Sequence, residues 1–138
     1  MSLYELAILG AAAPHEREAL TASLRGMIED FGLIFGQDVV VHDDASIGGR
    51  DKRAAFAAVF FGGVDHIDVE MAEALMGASA PLIPTVASDG DFGRDIPDFL
   101  QSANGLKRRD DDPEMTELAA ALLECVGLLR RQRRVFVS

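Results

Sequence analysis

The chain has 138 residues, 49% hydrophobic and 26% charged, with a formal net charge of −10, the size and make-up of one globular domain with an ordinary core. So acidic a surface repels phosphate backbones, which excludes a general nucleic-acid binder. A lone cysteine, Cys125, excludes an internal disulfide and a cysteine-based zinc site, and no apolar run reaches the roughly 18–20 residues of a membrane span.

The N-terminus MSLYELAILGAAAPHE has no basic leader, so no signal peptide is expected and the cytoplasm is the expected location. Leu3 to Leu9 (LYELAIL) read as a first strand, buried on both faces. After the loop GAAAP, Pro14 suits the first turn of a helix, and Glu16 and Glu18 favour its positive end. Leu20, Leu24, Met27, Ile28 and Phe31 recur at helical spacing, and Gly32 supplies a left-handed cap.

Asp38 to His42 (DVVVH) is rich in β-branched residues and reads as the second strand, ending in Asp43 and Asp44. The loop DDASIGGRDKR is exposed, and a short helical piece over Asp51 to Phe56 precedes a third strand, Ala57 to Phe61. A glycine turn (Gly62, Gly63) and an acidic loop (Asp65, His66, Asp68) lead into a helix that opens near Glu70, with Asp65 or Asp68 as its cap. Pro81 to Ala87 is the fourth strand, with irregular pairing near Pro84. SDGDFGRDIP reads as a loop, Pro97 to Ala103 as a short helix, and KRRDDD as a solvated charge run. Asp112 and Pro113 start a long last helix whose apolar stripe is Met115, Leu118, Ala119, Leu122, Val126 and Leu129. RRQRR follows it, and then VFVS, a strand-like opening.

Alternating strands and helices predict a three-layer α/β domain with a mainly parallel sheet of four to five strands and flavodoxin-like order as the default. Ligands in such sheets sit at the carboxyl ends of the strands, which makes the turn after Phe61 the place to look. Gly62 and Gly63 either admit a ligand close to the backbone or simply permit the turn. His66 is an exposed turn histidine, or a base or ribose contact. Asp43 and Asp44 are placed to meet Asp65 and Asp89 across the strand ends, as a solvated acidic rim or around a hard cation such as Mg²⁺. Phe92, Ile96 and Phe99 cover an apolar pocket or face another subunit.

The usual cofactor signatures of this architecture are missing. GAAAPH stands where a Rossmann domain carries G-x-G-x-x-G, and no phosphate loop ending in G-K-S/T occurs. The first strand lacks the hydroxyls that cradle flavin phosphate and the acid pair of a phosphoreceiver, and Gly62 stands where the latter has its aspartate. No cofactor and no metal site are expected.

Phe60 to Ala74, and again PLIPTVAS…DIPDFLQSANGL, resemble the Toll/interleukin-1 receptor (TIR) domain superfamily and its nucleoside deoxyribosyltransferase-like relatives. RRVFVS is similar to the opening strand of a TIR domain. The resemblance implies a TIR-like domain over residues 1–132 of a bacterial TIR protein, with 133–138 the start of a following, truncated TIR domain. In enzymatic members a glutamate in this region acts on the N-glycosidic bond of NAD or a nucleoside, and Glu70 is the matching position. A carboxylate suits that chemistry because it can stabilise or capture an oxocarbenium-like sugar. Against this, Asp65, Asp68, Glu70 and Glu73 also suit a plain role at the positive end of a helix.

The expected function is therefore a non-enzymatic sensory or protein-interaction domain that associates with itself and with an adjoining TIR domain. The alternative is an NAD or nucleoside hydrolase or transferase, or a ligand-binding pseudoenzyme, with Glu70 central. Gly62, Gly63, Asp65, His66, Asp43 and Asp89 would then contact a nucleotide-like ligand.

Overall fold

The computed structural model describes residues 2–43, 47–63, 68–101, 103 and 105–128. The chain alternates strand and helix: β1 (Tyr4–Gly10), α1 (Pro14–Asp30), β2 (Val39–His42), β3 (Ala55–Phe61), α2 (Val69–Gly77), β4 (Leu82–Val86), α3 (Phe92–Asp95), β5 (Leu106–Lys107) and α4 (Thr116–Cys125). The strands form one five-stranded, wholly parallel sheet in the order β2-β1-β3-β4-β5. That order is the doubly wound, flavodoxin-like one, with its switch point between β1 and β3.

Side chains alternate across the pleat, and both faces of the sheet are apolar. Tyr4, Leu6 and Ile8 of β1 and Ala57, Val59 and Phe61 of β3 pack under Leu20, Leu24 and Ile28 of α1 and Leu118 and Leu122 of α4. Ala7, Leu9, Ala58 and Phe60 line the other face against Ala72 and Leu75 of α2, with Ile96 and Leu100. These two covered faces make the three layers, and they explain why the strands read as continuous rather than alternating apolar runs.

Pro84 sits inside β4 at no cost to the ladder. Gly62 N–H donates to Thr85 O and Arg108 N–H to Val86 O, so Pro84, in phase with Val86, faces the short β5 side, where a missing N–H matters least.

Several local expectations give way. No helix forms over Asp51 to Phe56; a turn leads directly into β3 at Ala55, because β3 extends to pair Tyr4 with Ala55. The segment SDGDFGRDIP contains α3, whose start is held by the Asp91 carboxylate accepting from Gly93 N–H. The helix expected over Pro97 to Ala103 contracts to a single 3₁₀ turn, Asp98–Leu100. The KRRDDD run is not wholly a solvated linker: its first residue lies in β5, and Arg108 is half-buried. Helix α4 begins at Thr116 rather than at Pro113, since the Asp112 carboxylate accepts from the N–H groups of Thr116 and Glu117. Gly32 does close α1, at φ +80°, and Cys125 is half-buried against the α1/α4 core. The RRQRR and VFVS segments lie outside the described residues. Among the described residues no helix is long and apolar enough to cross a membrane.

Candidate functional site

At the switch point the chain closes on itself. Gly10 ends β1 at φ +91°, with Phe61 O only 2.3 Å from where a Cβ would stand. Its N–H donates to the Asp68 carboxylate at 2.8 Å. Asp68 occupies the N-cap position of α2 in the left-handed region, φ 62°, and makes no side-chain cap, so its carboxylate serves the end of β1 instead. Ala11 N–H donates to Phe61 O at 2.9 Å, and Ala13 N–H to the Glu16 carboxylate at 2.8 Å.

The glycine pair is closed in the same way. Gly62 N–H bonds to Thr85 O at 2.8 Å and Gly63 N–H to Asp95 O at 3.0 Å. A Cβ on Gly62 would lie 2.6 Å from Ile96 Cδ1, and one on Gly63 would lie 2.9 Å from Ala11 Cβ. These glycines admit the chain's own backbone. Ile96 is buried in the core on that side, and Phe92 and Phe99 pack against the same core, so all three serve packing rather than a free surface.

Glu70 lies in the first turn of α2 and is exposed. Asp43 is exposed at the end of β2 and lines a cleft of about 370 Å³ with Ile8, Arg17, Phe35 and His42. Asp89 is exposed beyond β4, where with Asp95 and Asp91 it holds Arg94 above its usual range; the Asp95 hydrogen bonds dominate that shift. Asp43 and Asp89 do not meet. β2 and β4 are separated by three strand spacings, about 14 Å. Asp44, Asp65 and His66 lie outside the described residues. Among the described residues no group of three His, Cys, Asp or Glu side chains is placed to hold a metal ion.

Two arrangements were not read from the sequence. Glu5, inside an apolar strand, has a side chain only 4% exposed and pairs with His42 on β2. It also accepts from Ser2 Oγ and from Asp51 N–H. Burial pushes its carboxyl up, but the bonds from Ser2, His42 and Asp51 outweigh it and hold Glu5 below the ordinary value. A charged residue in an otherwise apolar run was the available signal; its partner, 37 residues away, was not.

The second is Arg108, at the end of β5. Its guanidinium lies 4.5 Å from the Phe61 ring centroid, donates to Thr85 Oγ1 at 3.3 Å and stands 3.5 Å from the Glu16 carboxylate. Burial lowers its pKa from the usual value, and Glu16 opposes that shift. Beside it opens a cleft of about 260 Å³ between the first turn of α1, the end of β4 and the loop before α4. The sequence places Arg108 in a charge run, where nothing distinguishes it from Arg109.

Sheet order and layering define a flavodoxin-like α/β domain. Comparison of the chain with protein-family models, curated proteins and solved structures finds no match in any of the three.

Proposed function

We propose that the chain acts as a non-enzymatic sensory and protein-interaction domain of a TIR-type signalling protein. The carrying observation is the closed switch point. In this fold a phosphate-bearing ligand is expected at the β1/β3 crevice, held by backbone N–H groups. Here the N–H groups of Gly10, Ala11 and Ala13 are all engaged by the chain itself, two of them by carboxylates. A carboxylate at that position also repels the anion that would replace it.

The amino ends of β1 and β2, at the end of the sheet away from the switch point, supply a surface for association. Leu3 and Ile34 are the large hydrophobic residues that stand exposed among the described residues. Both flank Asp38: Leu3 N–H donates to Asp38 O, and the Asp38 carboxylate accepts from Ile34 N–H.

Sedimentation velocity of the wild type and Ile34→Lys, run beside an assay for nicotinamide release from NAD, tests this reading. The expected result is concentration-dependent self-association that Ile34→Lys weakens, with no nicotinamide released. Release of nicotinamide that Glu70→Gln abolishes would overturn the reading in favour of an N-glycosidic hydrolase.

A further inference from the structure

The cleft beside Arg108 adjoins the closed switch point, sharing Glu16 with it, and has the chemistry of a small-molecule site. The Arg108 side chain is only 13% exposed and is clamped by the Phe61 ring, Thr85 Oγ1 and Glu16. A guanidinium carries five N–H donors; here Thr85 takes one, in a long 3.3 Å bond, and Glu16 stands at 3.5 Å. Arg108 lines the cleft, and these two long contacts leave guanidinium donor capacity for a ligand there. The planar fork, fixed in direction by its ring contact, suits two parallel bonds to a carboxylate.

The rest of the lining decides which carboxylate. Glu16, Asp110 and Asp112 face Arg108 and Arg109 around the cleft, three carboxylates against two guanidinium groups. Asp112 is spent on the start of α4, and Arg109 on Asp111 and Glu117. That leaves Arg108 as the cation and Asp110 as the anion with capacity for a ligand, since Asp110 is exposed and only its Oδ1 receives the Ser88 hydroxyl. A phosphate dianion meets too many acids here, and a simple cation meets Arg108. A molecule carrying both charges satisfies both walls. The volume, about 260 Å³, falls below the roughly 300–1,000 Å³ of drug-sized pockets and fits a small metabolite.

We infer that this cleft binds a small zwitterion, an α-amino acid or a molecule with the same adjacent carboxylate and ammonium, with its carboxylate on Arg108 and its ammonium toward Asp110. This goes beyond the association role, because occupancy of the cleft is read independently of oligomeric state.

The test is titration of the wild-type chain with glycine and the L-α-amino acids, and separately with acetate, methylammonium and inorganic phosphate, followed by amide chemical shifts. The expected result is saturable movement of the Ser88, Arg108 and Asp110 amides with at least one amino acid. Acetate and methylammonium alone should bind at least about tenfold more weakly. Asp110→Asn should weaken the amino acid about tenfold while leaving acetate unchanged, a pattern that a general loss of structure would not give. The inference is overturned if no amino acid moves those amides, if phosphate binds as tightly as the best amino acid, or if Asp110→Asn leaves amino-acid binding unchanged.

Discussion

The Asp68 carboxylate accepts a 2.8 Å hydrogen bond from the N–H of Gly10, across 58 residues of chain. It ties the start of α2 to the end of β1 and fills the place where this fold commonly meets a ligand. Asp68→Ala would strand the buried Gly10 donor and place alanine in the left-handed region, a loss of about 2 kcal/mol. Asp68→Asn keeps an acceptor and tolerates that backbone, so it should cost less than half as much. Chemical denaturation of both variants checks the ordering.

Gly10 itself admits no side chain. A Cβ there would lie 2.3 Å from Phe61 O at φ +91°, so Gly10→Ala should destabilise by about 3 kcal/mol from strain and displacement of β3. Gly26 has the same substitution available with nothing within 4 Å, and lies inside α1. Gly26→Ala should therefore stabilise by about 1 kcal/mol. Thermal melts of the two variants should move in opposite directions.

Glu5 makes stability depend on pH. Its carboxyl is held below the ordinary value of 4.5 by its hydrogen bonds, against the burial that raises it. A carboxylate with a depressed folded value contributes stability that is complete above the unfolded value. That contribution is lost as pH falls below about 4.5 and through the lower folded value. Glu5→Gln should flatten this acid limb, and Glu5→Ala should cost about 3 kcal/mol at neutral pH by leaving His42 and the Asp51 N–H without their buried partner. Denaturant midpoints measured from pH 7 down to about 3 test both.

Helix α1 carries half of a capping box. The Glu16 carboxylate accepts from Ala13 N–H, while Ala13, in extended conformation at φ −69° and ψ 156°, has no side-chain acceptor to return the bond. Ala13→Ser completes the reciprocal pair without changing the backbone. A gain of about 1 kcal/mol is expected, visible as a rise of roughly 3 °C in melting temperature.

The sequence alone determined β1 to β4, the helices α1, α2 and α4, and the three-layer α/β class, because these depend on apolar runs and helical periodicity within short windows. The apolar runs ending at Leu9 and Phe61 read as buried strands because glycine stops each one, although Leu3 itself stands exposed ahead of β1, and Leu20, Leu24 and Ile28 all reach the core. Tertiary structure alone decided the rest. Strand order put β1 and β3 between β2 and β4, which separated Asp43 from Asp89. β5 forms from Leu106 and the first residue of a charge run, Lys107, because it pairs beside β4, where Arg108 N–H reaches Val86 O. The pairings of Glu5 with His42 and of Asp68 with Gly10 span 37 and 58 residues. Such contacts leave no periodic trace in the chain, since a charge shows where a partner is needed and only the packed sheet shows which residue arrives.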